Sequence, residues 1–121
     1  MPKPDNRDTA YENERLCLCL LYDFGWLRSA DLAALWPGTV AGARRMVQRT
    51  LRRLVEQRAV LTARLPNGVP VYALAQRGAE RLRGLNAAAF ADARSGADLL
   101  RQLAPGGEWQ HRCLCNELII W

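Results

Sequence analysis

Between residues 40 and 56 apolar positions recur every three or four residues, and the pattern then switches to short extended runs. On a helical wheel at about 100° per residue, Val40, Ala43, Val47, Thr50, Leu51 and Leu54 gather on one side, with Val55 at its edge. Arg45, Gln48, Arg49, Arg52, Arg53 and Glu56 gather on the other. The spacing predicts an amphipathic helix with one core stripe and a solvent face that is almost wholly guanidinium. Residues 61–65 and 69–74 are β-prone and flank Pro66-Asn67-Gly68. Asn-Gly is the preferred pair for a tight type I′ hairpin turn, because both of its positions need positive φ. Pro66 and Pro70 do not fit inside a paired ladder, so the hairpin is expected to be a short, exposed edge ribbon.

The flanking pattern adds further elements. A first helix is expected from near Asp8-Thr9 to about Tyr22, with Glu12 supporting its positive end. Leu16, Cys17, Leu18, Cys19, Leu20 and Leu21 make its second half apolar nearly all round, which predicts a central core helix or a subunit contact. Asp23-Phe24-Gly25-Trp26 breaks the chain, Ser29 is placed to cap a short helix over 30–36, and Pro37-Gly38 stops it. Thr39 is the expected cap of the arginine helix. A further helix is predicted from Gln76 to about Leu85, and another near Ser95, where Ser95-Gly96-Ala97-Asp98 resembles a capping box. Residues 86–94 either continue the former or make a helix of their own. Pro105-Gly106-Gly107 is a break, followed by an amphipathic segment over 108–121.

A short helix, a turn, an arginine-faced helix and a hairpin follow one another in the order of a winged helix-turn-helix. The expected fold class is mostly α with a small β-hairpin (α+β), extended by N- and C-terminal helices. The expected division is a disordered tail over 1–7, the winged helix-turn-helix over 8–85 and a helical extension over 86–121. That extension serves dimerisation or joins a further domain, since Leu118-Ile119-Ile120-Trp121 is an apolar place for a chain to stop.

Charge sharpens this picture. From Arg44 to Arg64 the chain holds Arg44, Arg45, Arg49, Arg52, Arg53, Arg58 and Arg64 against Glu56 alone, so the basicity behind the net charge of +5 is a patch. Arg45/Arg49, Arg49/Arg52 and Arg49/Arg53 repel at helical spacing by about a few tenths of a kcal/mol each. A duplex carrying one phosphate charge per roughly 1.7 Å of axis would relieve that repulsion. Compositional bias is the competing account, because all but one of the basic residues are arginine. It explains the choice of arginine over lysine but not the clustering on one helix.

The expected double-stranded DNA-binding set follows from position. Thr39 opens the positive end of the helix, and Arg44, Arg45, Gln48 and Arg49 lie nearest a groove. Arg52 and Arg53 continue the face, while Arg64 and Asn67 ride near the hairpin tip, within reach of a phosphate or the minor groove. A plain exposed hairpin without any contact is the alternative for the last two.

Leu51-Arg52-Arg53-Leu54-Val55-Glu56-Gln57, followed by an apolar pair, resembles the exit of the recognition helix in bacterial winged-helix regulators. More narrowly, the order of short helix, arginine-rich helix, hairpin ending in Val71-Tyr72-Ala73-Leu74, Arg77-Gly78 and later His111-Arg112-Cys113-Leu114-Cys115-Asn116-Glu117 resembles the N-terminal part of the replication-relaxation protein family of plasmids, phages and conjugative elements. The resemblance spans about residues 12 to 121. It implies DNA binding in replication, mobilisation or local gene control, with the family's downstream domain absent from these residues. Arg58 stands where that family usually has a left-handed glycine, and Ala75 replaces a helix-capping threonine.

Other chemistries fit less well. Cys17/Cys19 and Cys113/Cys115 form two Cys-Leu-Cys pairs, with His111 adjacent to the second. Helical i,i+2 positions point roughly 200° apart and cannot share one zinc ion, so no metal site is expected and the cysteines read as small hydrophobes. One histidine, no Gly-rich phosphate loop and no carboxylate pair in an apolar setting argue against an enzyme, and no cofactor is expected. His111 and Asn116 sit roughly 140° apart on a helix and form no obvious site. No apolar run reaches the roughly 20 residues of a membrane span, and the polar N-terminus is unlike a signal peptide, which predicts a cytoplasmic protein with reduced thiols. The surplus apolar surface of the first helix and the terminal segment predicts a homodimer, or else packing on a missing domain. Two function classes stay open: a DNA-binding module, and a winged helix whose arginine face meets an acidic protein partner.

Overall fold

The computed structural model describes residues 6–102, which form five helices and a three-stranded antiparallel sheet. In chain order these are α1 (Asn6–Phe24), β1 (Trp26–Arg28), α2 (Ser29–Leu35), α3 (Val40–Glu56), β2 (Val60–Arg64), β3 (Pro70–Leu74), α4 (Gln76–Leu85) and α5 (Ala97–Arg101). The helix of α1 starts at Asn6, so the tail expected over 1–7 is helical at its last two residues. Among the described residues no helix is long and apolar enough to cross a membrane.

The sheet order is β1-β3-β2, and its two faces bury different things. Strand alternation puts Leu27, Val60, Tyr72 and Leu74 on the face that meets α1, α2 and α3, where Leu18, Leu21, Leu32, Val47, Leu51 and Leu54 complete the main core. Trp26, Val71, Ala73 and Ala63 point to the opposite face, and Leu65 with Leu99 and Leu100 of α5 closes a second, smaller cluster there. The strand β1 was not expected. Gly25, at φ 87°, takes the left-handed turn after α1 that a side chain would resist, and delivers Trp26 opposite Ala73 and Arg28 opposite Val71. The pairing leaves β3 in the middle of the sheet and not in a free ribbon. Pro70 is tolerated because β1 pairs only as far as Val71, so the amide hydrogen that proline lacks has no partner waiting.

The arginine helix begins as its sequence predicts, with the Gly42 N–H donating to Thr39 Oγ1 at 3.2 Å. Its buried stripe is Ala43, Val47, Thr50, Leu51 and Leu54. Val40, expected on that stripe, is 74% exposed at the first position of the helix, while Ala43 one turn on is buried. The exit is a Schellman closure: Arg58 N–H donates to Val55 O at 3.0 Å and Ala59 N–H to Leu54 O at 2.9 Å. The closure needs a left-handed residue, and Arg58 sits at φ 61°. Because a side chain in that region costs roughly 1 kcal/mol, Arg58→Gly is expected to raise stability by about that amount, or a Tm a few degrees higher by thermal unfolding. A lower Tm would show that the Arg58 side chain makes a stabilising contact.

Two local expectations change for stereochemical reasons. Only Gly68, at φ 88°, is left-handed in the hairpin turn, so the turn is not type I′. Pro66 fixes its own φ near −65° and starts a turn in which Gly68 N–H donates to Leu65 O at 2.8 Å. Asn67 Oδ1 instead accepts the Val69 N–H at 3.1 Å. At α2 the cap position is Arg28, not Ser29, and the Asp31 carboxylate accepts both the Arg28 N–H at 3.0 Å and its guanidinium at 2.7 Å.

After α4 the chain neither continues that helix nor starts another at once; residues 87–92 form turns, anchored where Asn86 Oδ1 accepts the Ala89 N–H. Ser95 and Asp98 do not make a capping box: Gly96 is the cap of α5, and Ser95 Oγ accepts the Ala97 N–H at 3.2 Å. The segment belongs to the core unit. Phe90 meets Tyr22 edge to face at 5.1 Å, Tyr22 donates to Asp92, and Gly96 N–H donates to Leu74 O at 2.7 Å. The end of α4 nearest the core is tight because Ala59 O accepts the Ala75 N–H, and a Cβ at Gly78 would lie 2.2 Å from that same oxygen. The predicted break at 105–107 and the segment over 108–121, with His111, Cys113, Cys115 and Asn116, lie outside the described residues.

Candidate nucleic-acid interface

The amphipathic period of α3, set against α1 and α2, turns one face of guanidinium groups outward. Arg44, Arg45, Gln48, Arg49 and Arg52 are all exposed. Outside α3, four arginines of the described residues have an acid beside them: Arg15 reaches Glu12 at 2.7 Å, Arg28 reaches Asp31 at 2.7 Å, Arg81 reaches Glu14 at 3.3 Å and Arg101 reaches Asp98 at 3.0 Å. Arg44, Arg45, Arg49 and Arg52 pair with no carboxylate of the described residues. Glu56 is exposed on the same helix yet forms no ion pair with them.

The remaining expected site residues fall into different settings. Thr39 is exposed, its hydroxyl engaged in the cap. Arg53 is half-buried and turned toward α1, where its Nε lies 3.9 Å from Glu14 Oε2. Arg64 folds back on the hairpin, donating from Nη1 to Gly68 O at 2.8 Å, and Asn67 is exposed at the tip. An open cleft of about 550 Å³ separates α3 from the hairpin, with Gln48, Arg52 and Glu56 on one wall and Thr62, Pro70 and Tyr72 on the other. The structure therefore gathers Arg44, Arg45, Gln48, Arg49 and Arg52 on one surface, sets the hairpin across a cleft from it, and takes Arg53 partly away.

Several residues that shape this surface were not foreseen. Glu14 is buried and joins α1 to α3 and α4 through Arg53 and Arg81, and Arg81 also donates to Gln57 Oε1 at 3.0 Å. A signal was present, since Glu14 precedes Cys17, Leu18 and Leu21 at helical spacing and is therefore an acid on a buried stripe. Ser29, Thr62 and Tyr72 line the cleft through a sheet register that local pattern does not encode.

Burial acts on both thiols of α1, more strongly on Cys17. Burial, with a smaller contribution from the Glu14 charge, pushes Cys17 from an ordinary value of 9.0 up to about 12. Burial and Asp23 also raise Cys19, against the opposing pull of Arg15. At pH 8 the thiolate fraction of Cys17 is roughly 10⁻⁴, so it should resist iodoacetamide in the native state and react once denatured, as read by mass spectrometry of the 17–19 peptide. Since its folded value lies above the unfolded one, the associated stability is intact below about 9 and is lost as pH rises toward 12. Native-state alkylation as fast as that of a free thiol would show that α1 opens readily. Among the described residues no group of three or more His, Cys, Asp or Glu side chains is placed to hold a metal ion.

Comparison of the chain with protein-family models, with curated proteins and with solved structures gave no match. The resemblance to the replication-relaxation family rests on its short residue motifs.

Proposed function

We propose that this chain is a double-stranded DNA-binding module of winged helix-turn-helix type, with α2 and α3 as the helix-turn-helix and the β2–β3 hairpin as the wing. Its setting is transcriptional control, or the replication or transfer of a plasmid or other mobile element, the process that the motif resemblance implies. The single observation that carries the reading is the row of exposed guanidinium groups on α3 that meet no carboxylate among the described residues. Such a row is electrostatically unfavourable unless an external polyanion meets it. With α3 in the major groove, the capped helix end at Thr39 and the side chains of Arg45, Gln48 and Arg49 approach base edges, while Arg44 and Arg52 flank them toward phosphates. The hairpin beyond the cleft then brings Arg64 and Asn67 to the neighbouring backbone.

The test is fluorescence anisotropy on random duplex DNA across a salt series. Neutralising roughly five phosphates gives an expected log–log slope near −4. A folded protein that binds no duplex at low salt would favour the other use of such a surface, docking an acidic protein partner. A two-fold homodimer belongs to the same reading, because it sets two recognition helices roughly 34 Å apart on successive major-groove turns. Within one chain Cys17, Leu18 and Leu21 are already buried and Leu16, Cys19 and Leu20 half-buried, so a dimer through α1 has only their remaining surface to cover. Light scattering at micromolar concentration measures it directly.

A further inference from the structure

The outward face of α3 changes chemistry along its length. Two ridges of side chains spaced four residues apart run down it, Val40-Arg44-Gln48-Arg52 and Ala41-Arg45-Arg49, and every one of these residues is exposed. Both ridges carry guanidinium or amide groups from the second turn onward, yet both start on an apolar residue. Val40 is 74% exposed, more than any other large hydrophobic side chain of the described residues. Gly42 completes the first turn without a side chain, and a Cβ there would lie 3.0 Å from Thr39 Oγ1, pressing on the hydroxyl that caps the helix. That hydroxyl is itself engaged with the Gly42 N–H. The side chains of Val40 and Ala41 neither donate nor accept a hydrogen bond. The first turn of α3 therefore offers a partner methyl groups and close approach, and the turns after it offer charge.

We propose that the first turn of α3 reads the C5-methyl group of thymine, with Val40 as the residue that makes the contact. The inference rests on the duplex reading above, in which the capped end of α3 approaches base edges, and it names the base that this apolar end selects. Every base pair presents hydrogen-bonding atoms in the major groove, and thymine alone of the four bases adds an apolar group, its methyl. Against any other base edge, Val40 would displace water from polar atoms without replacing the lost bonds. Against the thymine methyl it removes apolar surface from water on both partners. Arg45 and Arg49 suit guanine and Gln48 suits adenine, so the preferred site holds a thymine beside such positions.

The test deletes the methyl from the DNA and, separately, the valine from the protein. Duplexes that the protein enriches from a random synthetic library are remade with deoxyuridine at one thymine at a time, which removes the methyl and keeps the hydrogen-bonding edge. The library is unmethylated, so thymine is the sole source of a C5-methyl group. Affinity is read by fluorescence anisotropy at fixed salt. At one or two positions uracil is expected to weaken binding about fourfold, the effect of exposing one buried methyl group. Val40→Ala should lose a similar factor on the thymine duplex and almost nothing further with uracil, because the contact is already gone. A thermal melt checks its fold, which an exposed side chain at the helix start should leave intact, and the uracil scan on the unaltered protein stands without the variant. Uracil tolerated at every position, a uracil penalty undiminished in Val40→Ala, or enriched duplexes without thymine would each overturn the contact while leaving duplex binding in place. A folded protein that enriches no duplex overturns the duplex reading, and this contact with it.

Discussion

Trp26→Ala is expected to lower stability by about 3–5 kcal/mol, the cost of deleting a large aromatic side chain from a close-packed site. Trp26 is 1% exposed and is the largest fully buried side chain of the described residues. It anchors the smaller cluster, where Val71, Ala73, Leu65 and the α5 side chains Leu99 and Leu100 have nothing else of that volume to close on. A domain of this size is stable by only about 5–15 kcal/mol, so the urea midpoint should fall steeply at unchanged m-value. The surface of α3 lies on the other side of the sheet. Duplex affinity measured in the cold on the folded fraction should therefore stay close to that of the parent. A loss below 1 kcal/mol would mean that α5 does not cover the second sheet face.

Trp26 also marks the limit of what the sequence made legible. The helices α3 and α4 and the Thr39 cap follow from local periodicity and capping chemistry, which act within a few residues. The strand β1 does not. It is three residues long, shows no alternation, and exists only because Ala73 and Val71, more than forty residues away, offer an unpaired edge. The turn type is set by Pro66, whose fixed φ overrides the type I′ preference of Asn67-Gly68. At the site, outward placement of Arg45, Gln48, Arg49 and Arg52 was readable from the wheel, because exposure on a helix follows its period. The turn of Arg53 toward Glu14 was not, because its partner sits on another helix. Val40 shows the converse: an apolar residue in phase with the stripe remains exposed at the first position of the helix, although Ala43, one turn on, is buried.

Replacing Arg45 and Arg49 by alanine should remove most of the affinity for a specific duplex site, since each residue that reads a base edge is worth roughly 1–3 kcal/mol. Gln48→Ala belongs to the same class and should relax preference at a single base position. Arg64→Ala should act differently. Its guanidinium holds the Gly68 carbonyl at the hairpin tip, and the remaining donors can meet a phosphate, so its loss should weaken all sequences alike and reduce the salt slope by about 1. Arg53→Ala should chiefly lower stability, because it leaves the buried Glu14 with Arg81 as its remaining partner. Binding constants for each variant on the specific site and on random duplex separate these roles. Were Arg52 and Arg53 to dominate while Arg45 and Arg49 stayed silent, the C-terminal half of α3 would be the part facing the duplex. The helix would then enter the groove by its other end, and the capped N-terminus at Thr39 would point away from the phosphates.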